Sequence, residues 1–149
     1  MRSSNSCLQL IRKSEGFSAS PYLCPAGVPT IGYGSTRYAD GRPVKLSDPK
    51  ITQDMADDIM RATLKEYEEA VSRYVKVPLN QNQFDALVDF AYNAGAQNFR
   101  TSTLLKLLNQ GDYATVAGEF DKWVYGGGKK LNGLVKRRDL ERQLFQQPV

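Results

Sequence analysis

The sequence has 149 residues, of which 41% are hydrophobic, 10% aromatic and 24% charged. A chain of this length forms one domain and buries a core without disulfides or metals. No apolar run approaches the roughly 20 residues of a membrane-spanning helix, and the start lacks the apolar core of a secretory signal, so we expect neither. The absence of histidine excludes most zinc sites and every Ser-His or Cys-His pair, and two cysteines are too few for a disulfide scaffold. We therefore expect carboxylate, hydroxyl or thiol chemistry, with no metal and no cofactor.

The formal net charge of +4 is concentrated in one segment, residues 122–142, which holds seven cations and two anions. Such a surface attracts polyanions. Nucleic acid, an anionic membrane, an acidic cell-wall polymer and a plain solvated helix face all remain open at this point.

The N-terminal third predicts a short helix followed by a small β-rich lobe. A helix is expected over 5–15, and turn-forming prolines and glycines then dominate residues 17–50. Alternation over 30–34 predicts a short strand, and the Asp40-Gly41 turn predicts a partner strand around 43–46. Residues 17–50 are therefore assigned to the β-rich lobe.

Helical periodicity takes over from residue 52 onward. Thr52 is a suitable N-cap for a long connecting helix over 53–74, which ends before Pro78. An α-helical lobe over 80–146 follows, opened by a capping box of Asn80 with Gln83 and interrupted at Gly95. Further helices are predicted over 102–109, 113–124 and 134–146, with the triple glycine 126–128 as a flexible break. The whole chain, 1–149, is thus one α+β domain with a small β-rich lobe and a larger helical lobe.

Glu15 occupies a position at which a charged carboxyl group is unfavourable for the stability of the helix. It ends the predicted first helix, on the apolar face that contains Cys7 and Ile11, and Gly16 follows as terminator. The negative end of the helix dipole and the apolar surroundings both disfavour the charged carboxylate, as a proton donor requires. An exposed carboxylate at a frayed helix end is the alternative reading.

Cys24 and Thr30 follow Glu15 at short intervals. Taken alone, Cys24 reads as a small buried residue with an ordinary thiol. Thr30 begins the predicted strand and shares a face with Gly32 and Gly34, whose bare backbone would allow a ligand to approach closely. A bulge or tight turn is the alternative for these glycines.

The spacing Glu15, eight residues, Cys24, five residues, Thr30, followed by Ile-Gly-Tyr-Gly, resembles the catalytic signature of the phage-type lysozymes, glycoside hydrolase family 24, in its Cys-containing branch. The family helix opening is matched by PLNQNQFDAL at 78–87, its cleft-lining end by FAYNAG at 90–95, and its C-terminal helix by GLVKRR at 133–138 with Glu141. The resemblance covers about residues 8–145.

This resemblance implies a lysozyme-like fold with two lobes joined by a long helix, and an endolysin that hydrolyses the β-1,4 bond between N-acetylmuramic acid and N-acetylglucosamine in peptidoglycan. Glu15 would be the general acid and Thr30 would hold the attacking water. Cys24 would orient or activate that water or, as a thiolate, stabilise the positive charge that develops on the sugar ring. Inversion is expected by resemblance; a nucleophilic Cys24, giving retention, stays open. A Cys7–Cys24 disulfide, which would disable Cys24, also stays open.

The resemblance further implies a set of supporting residues and partners. The substrate-binding positions are Thr36, Tyr92, Asn93 and Ser102, and Arg137 would approach the catalytic glutamate. Ser102 as a helix cap and Tyr92 as a core residue are the local alternatives.

We expect a monomer that binds no nucleic acid, is made in the host cytoplasm, and reaches the periplasmic wall after a phage holin permeabilises the membrane. A lytic transglycosylase and a non-catalytic basic wall-binding module are the competing functions.

Overall fold

The structure, a computed structural model, describes residues 1–149 and has an α+β fold. Seven α-helices and two small antiparallel sheets follow one another in the order α1 (Asn5–Glu15), β1 (Ser18–Leu23), β2 (Pro29–Gly32), α2 (Gln53–Tyr74), α3 (Gln81–Ala94), α4 (Ala96–Arg100), α5 (Thr103–Asn109), α6 (Tyr113–Glu119), β3 (Tyr125–Gly126), β4 (Lys129–Lys130) and α7 (Asn132–Gln146). None of these helices combines the length and the hydropathy that crossing a bilayer demands.

The chain forms two compact units. One, here called the sheet unit, comprises Ile11–Glu66, and the other, the helical unit, comprises Met1–Leu10 with Tyr67–Val149. The assignment of a β-rich lobe to 17–50, a connecting helix to 53–74 and a helical lobe to 80–146 stays a prediction.

The sheet unit is built on the antiparallel hairpin of β1 and β2. Tyr22 pairs with Thr30 and Leu23 with Pro29, and the register shifts between Ser18 and Tyr22. The predicted strand near residue 30 is confirmed, but its predicted partner is wrong: β1 pairs with it, and residues 43–46 contribute only an isolated bridge from Pro43 to Arg37. The Asp40-Gly41 turn closes that bridge. β1 contains Pro21, a residue that in a sequence pattern argues against a strand.

The long helix α2 has the predicted bounds. The N–H group of Met55 donates to the Thr52 hydroxyl over 3.2 Å, which satisfies one of the amides left unpaired at a helix start. The buried apolar residues of the sheet unit come from α1, from β2, from α2 and from the loops between β2 and α2: Ile11, Ile31, Tyr33, Val44, Ile51, Ala56, Ile59, Met60 and Leu64.

The helix starts of the helical unit are set by local capping. Asn80 and Gln83 form the predicted capping box at the start of α3, which ends at Gly95. Ser102 caps α5 and Asp112 caps α6. The short helix α4 is an addition to the sequence prediction.

Two predictions about the C-terminal third are corrected. The helix expected over 113–124 ends at Glu119, and Phe120–Lys122 form a turn of 3₁₀ helix. The glycines at 126–128 are part of the β3–β4 hairpin, in which Tyr125 pairs with Lys130 and Gly126 with Lys129. Glycine therefore serves as a hairpin turn here and not as a flexible break.

Aromatic rings form the centre of the helical unit. The Phe90 ring lies edge-on to Phe120, with centroids 5.7 Å apart, and to Trp123, with centroids 5.4 Å apart. Phe120 in turn packs against Phe145 of α7 at 5.7 Å. Such edge-to-face pairs add to the stabilisation from burial and hold α3 and α7 together.

Candidate active site

Glu15 is the last residue of α1 and is half-buried. The helix ends as predicted, because Gly16 adopts a φ of 69° and its N–H group donates to the Arg12 carbonyl over 2.9 Å. Cys7 and Ile11, on the preceding turns, are fully buried. The carboxyl group thus leaves the helix at its negative end, beside an apolar face.

Gly34 lies directly against the Glu15 side chain. A Cβ atom at this position would be 2.8 Å from Cδ of Glu15, and the φ of Gly34 is 77°. A Cβ at Gly32 would instead meet the Cβ of Ala56 at 3.1 Å. The prediction that these glycines leave room for a ligand is therefore corrected. The missing side chain of Gly34 makes room for the Glu15 carboxyl group, and that of Gly32 makes room for Ala56 of α2.

The turn of the β1–β2 hairpin brings Cys24 and Thr30 together. The N–H group of Cys24 donates to the Val28 carbonyl over 3.1 Å, and the Thr30 hydroxyl donates to the same carbonyl over 2.9 Å. Thr30 is buried and Cys24 is half-buried. Val28 therefore fixes both candidate residues through its backbone.

The same turn changes the chemistry of the Cys24 thiol. The backbone amide of Val28 has the largest effect and lowers the pKa of Cys24; the Ala26 amide and the Thr30 hydroxyl act in the same direction, against a smaller effect of burial. Hydrogen bonds to the sulfur favour the thiolate. The ordinary thiol expected from the sequence is therefore corrected to one that ionises more readily.

Thr30 has one hydroxyl proton and two acceptors for it, the Val28 carbonyl and the Cys24 sulfur. While the proton is on the carbonyl side, the lone pairs of Oγ1 are available to a water molecule or to the thiol. When the thiol ionises, rotation of the hydroxyl can redirect its hydrogen bond from the Val28 carbonyl to the sulfur. The pair can thus exchange one hydrogen bond as the sulfur changes charge.

Tyr22 belongs to this site, although the sequence analysis did not select it. It lies directly across from Thr30 in the β1–β2 pairing, so both side chains project from the same face of the hairpin. Burial raises the pKa of Tyr22, and the negative charges of Glu15 and of the Cys24 thiolate act in the same direction. Tyr22 is two residues from Cys24, a spacing that places both on one face of a strand. This spacing could have indicated Tyr22 only if β1 had been recognised as a strand.

Thr36 also belongs to the sheet unit, just past the isolated bridge between Ile31 and Ser35. Its side chain is exposed, and its carbonyl accepts from the N–H group of Val44 over 2.9 Å. Its role as a substrate contact stays a prediction.

The other predicted substrate contacts lie in the helical unit. Tyr92 packs edge-on to Tyr67, with centroids 5.4 Å apart, and the side-chain carbonyl of the exposed Asn93 accepts from the Arg138 guanidinium. Ser102 is buried, and its hydroxyl accepts from Leu105 N–H over 3.1 Å and donates to the Phe99 carbonyl over 2.7 Å. Both hydrogen-bonding functions of Ser102 are thus used within the protein, while its substrate role stays a prediction.

Arg137 forms a buried, two-pronged ion pair with Asp89 of α3. Its Nε donates to Oδ2 over 3.0 Å and its Nη2 to Oδ1 over 2.7 Å. Burial alone would raise the pKa of Asp89, but the charge of Arg137 and hydrogen bonds from Glu141 and Arg137 prevail and lower it. The predicted approach of Arg137 to Glu15 stays a prediction. Asp89 could have been noticed as a carboxylate in an otherwise apolar stretch.

Beside this pair, Arg138 and Glu141 are completely buried, with Arg138 Nε 3.2 Å from Glu141 Oε1. The guanidinium also lies over the Phe90 ring, 5.0 Å from its centroid. Burial, followed by the charge of Asp89 and a hydrogen bond to it, raises the pKa of Glu141. Glu141 therefore favours its protonated form and can donate to Asp89.

The two cysteines are both free. Burial, reinforced by Asp89 and Asp85, raises the pKa of Cys7. The Cys7 thiol is therefore the unreactive one of the two, and Cys24 is the one with thiolate character.

Comparison with known proteins gives consistent matches over nearly the whole chain. The family model described as phage lysozyme matches residues 12–141. The endolysin of Acyrthosiphon pisum secondary endosymbiont phage 1 is 40% identical over 98% of this chain and 99% of its own length. The endolysin of Bacillus phage B103 is 41% identical over 97% of this chain, which spans 54% of that protein. A SAR-endolysin of Bacteriophage PS119 is 35% identical over 87% of this chain and 75% of its own length.

A solved structure agrees with these sequence matches. The endolysin from Escherichia coli O157:H7 phage FAHEc1 superimposes with a TM-score of 0.90 and 38% identity, covering 100% of this chain and 96% of that one. The α+β lysozyme fold expected from the resemblance is thereby confirmed.

Proposed function

The chain belongs to the phage lysozyme family, and from that premise we propose how its own residues cleave peptidoglycan. It is a glycoside hydrolase, an endolysin that acts as a muramidase in lysis of the host cell. We assign the general acid to Glu15 and the positioning and activation of the attacking water to Thr30 and Cys24. The observation that carries this assignment is the turn at Val28, which holds the buried Thr30 hydroxyl against a thiol of lowered pKa.

In the proposed reaction, the protonated Glu15 carboxyl delivers its proton to the oxygen of the β-1,4 bond as that bond breaks. The leaving sugar therefore departs as a neutral alcohol. Gly34 supports this role, because its missing side chain lets the backbone pack on the carboxyl group and restrict its position. A proton donor held in place needs less reorganisation in the transition state.

The water attacks the anomeric carbon from the opposite face. Its hydrogen bond to the Thr30 hydroxyl fixes its oxygen, and the Cys24 thiolate takes the proton that the water loses on forming the new carbon–oxygen bond. One proton leaves Glu15 and one arrives at Cys24, so solvent exchange restores both groups. The reaction inverts the anomeric configuration.

A direct attack by Cys24 sulfur is the alternative for the second step. It would form a covalent glycosyl–enzyme intermediate, and its hydrolysis would retain the configuration. Proton magnetic resonance of the first product separates the two: we expect the α anomer at early times, whereas an initial β anomer would assign Cys24 as nucleophile.

Glu15→Gln tests the acid directly. The amide keeps the size of the side chain but cannot protonate the leaving oxygen, so we expect turbidity loss of outer-membrane-stripped Gram-negative cells to slow by at least about 100-fold. Glu66→Gln, a substitution of the same kind at an exposed position of α2, serves as the control and should lyse like wild type. Equal rates for wild type and the folded Glu15→Gln protein would overturn the assignment.

The products also separate hydrolysis from the competing functions. Mass spectrometry of soluble fragments should find each new reducing end heavier by one water than the anhydro sugar of a lytic transglycosylase. Anhydro ends would replace the proposed water step. A non-catalytic wall binder would sediment with sacculi and release no fragments.

We propose that the enzyme is made in the host cytoplasm as a monomer and reaches the periplasmic wall when a phage holin permeabilises the membrane. The support is topological, because peptidoglycan lies outside the membrane that encloses the ribosomes. Cells that express the chain alone should stay intact, and co-expression of a holin should trigger lysis. Lysis without a holin at the same protein level would contradict this route, and sedimentation analysis would test the oligomeric state.

A further inference from the structure

The positive charge of residues 122–142 is largely neutralised in the folded chain. Lys122 lies 2.6 Å from Glu119, and Arg142 pairs with both Asp121 and Asp139. The two remaining arginines are buried, Arg137 in its ion pair with Asp89 and Arg138 beside Glu141. The cations of this segment that are exposed and form no ion pair are three lysines: Lys129, Lys130 and Lys136.

Two of these lysines lie on the β3–β4 hairpin beside an exposed aromatic ring. Tyr125 pairs with Lys130 across the hairpin, so the ring and the ammonium group project from the same face. Tyr125 is 63% exposed, whereas most aromatic side chains in folded proteins are largely buried. Lys129, the neighbour of Lys130 in β4, projects from the opposite face of the hairpin. We call Tyr125, Lys129 and Lys130 the hairpin surface.

The base of the hairpin is held in place. The Leu131 N–H group donates to the Val124 carbonyl over 2.9 Å, and a Cβ at Gly126 would be 2.6 Å from Cδ1 of Leu131. Leu131 therefore covers the backbone of β3. A surface held in this way loses less conformational entropy on binding a ligand than a mobile loop would.

We propose that the hairpin surface binds the carboxylate-bearing peptides attached to the glycan strands of peptidoglycan. The proposal rests on the family's action on this polymer and not on the roles given to Glu15, Cys24 and Thr30. The glycan offers few negative charges, whereas its peptides carry free carboxylates next to apolar side chains. The Lys130 ammonium group beside the Tyr125 ring matches a carboxylate next to an apolar side chain, and Lys129 adds positive charge on the other face of the hairpin.

The observations favour this partner over a membrane. Segments that bind anionic lipid typically present clusters of about four to eight basic residues or a broad apolar helix face. The hairpin surface offers two lysines and one ring. Its charge is therefore matched to a short acidic peptide.

The test compares two forms of one polymer: intact sacculi, whose peptides carry free carboxylates, and sacculi stripped of these charges by carbodiimide coupling of the carboxylates to methylamine, which leaves the network cross-linked. Protein binding is measured on ice by co-sedimentation at about 50 mM salt, where surface charges are weakly screened. The variants are Lys129→Glu combined with Lys130→Glu, and separately Tyr125→Ser. The control combines Lys50→Glu with Lys65→Glu, which changes net charge equally at exposed positions.

We expect wild type and the control to bind intact sacculi more tightly than stripped ones. The double hairpin variant should bind intact sacculi about tenfold more weakly, with stripped sacculi unaffected, since exposed charge contacts are individually weak and two of them are reversed together. Tyr125→Ser should lower affinity for intact sacculi by a smaller factor. Wild-type binding of the intact form should weaken at high salt.

Three outcomes would overturn the proposal. They are unchanged binding by a folded double variant, an equal loss on intact and stripped sacculi, and selective loss of binding to vesicles containing anionic lipid. The proposed catalytic roles are tested separately, because Glu15→Gln abolishes turnover but should leave binding and its peptide preference intact.

Discussion

The backbone of Gly34 packs directly against the carboxyl group of Glu15: a Cβ atom at position 34 would be only 2.8 Å from Cδ of Glu15. Two carbon atoms that are not bonded do not approach this closely, so any larger residue displaces the carboxyl group or the backbone of the turn that follows β2. The relation ties the conformation of one glycine to the position of the proposed proton donor.

We therefore expect Gly34→Ala to lower the lytic rate at least about tenfold, because small displacements of a catalytic group are costly. Alanine at this positive φ also costs about 1–2 kcal/mol of folding stability. Gly41→Ala is the matched control, since Gly41 has a φ of 88° and nothing within 4 Å of its added Cβ. Both variants should lose similar stability in urea unfolding, and only Gly34→Ala should lose activity. Equal activities would separate Gly34 from the acid.

Because its pKa is lowered, Cys24 should react with iodoacetamide at a lower pH than an ordinary thiol does. The folded pKa lies below that of an unfolded cysteine, so the thiolate appears at lower pH in the folded protein and favours the folded state above the unfolded pKa; this contribution is lost as pH falls through the folded pKa. The alkylation midpoint should lie below that of the urea-unfolded chain. Cys7, buried and with a raised pKa, should react only after unfolding.

Thr30→Val should move this midpoint upward, because the sulfur loses one hydrogen bond, while the larger contribution of Val28 N–H remains. Thr30→Ser keeps the hydroxyl and should restore most of the shift. A midpoint at or above that of the urea-unfolded chain would refute the assignment of thiolate character to Cys24. Loss of activity should parallel the extent of alkylation.

The raised pKa of Glu141 predicts a stability that declines with rising pH. The carboxyl group faces Asp89, Arg137 and Arg138, and its folded pKa lies above the unfolded value of about 4.3. Its contribution is therefore complete below about pH 4.3 and is lost as pH rises through the folded pKa. The lowered pKa of Asp89 acts at the acid end, where stability is lost as that carboxylate protonates.

Glu141→Gln should remove the decline, because an amide donates to Asp89 without titrating, and should change the free energy of unfolding by less than about 1 kcal/mol near pH 5. Glu141→Ala should cost about 3 kcal/mol, since it removes the carboxyl group that lies beside the buried Arg138 guanidinium and leaves a cavity there. Urea unfolding at several pH values measures both. A wild-type decline that persists in the Gln variant would show that another group titrates.

Ser102→Ala separates a helix cap from a substrate contact. Loss of the cap at α5 should cost about 1 kcal/mol of unfolding free energy, as should Asn80→Ala at α3, which removes a cap of the same kind. The substrate role implied by the family resemblance requires KM to rise for Ser102→Ala alone. An equal KM for both variants would restrict Ser102 to capping, and Ser102→Thr should rescue the stability.

Local interactions determined much of this protein from its sequence alone. The bounds of α2, the capping box at Asn80 and the end of α1 at Gly16 depend on residues within one or two turns of each other, so periodicity and cap residues suffice to predict them. The spacing of Glu15, Cys24 and Thr30 is equally a property of the linear chain, and it was enough to identify the family.

Tertiary structure decided which groups face each other. Asp89 and Arg137 are 48 positions apart, and only the packing of α3 on α7 makes them partners and removes Arg137 from the exposed charge. Tyr22 lies beside Thr30 only because β1 pairs with β2, and Gly34 contacts Glu15 only because the turn after β2 folds against the end of α1. Burial, pairing and pKa are set by neighbours distant in the chain, and those neighbours exist only after the core has formed.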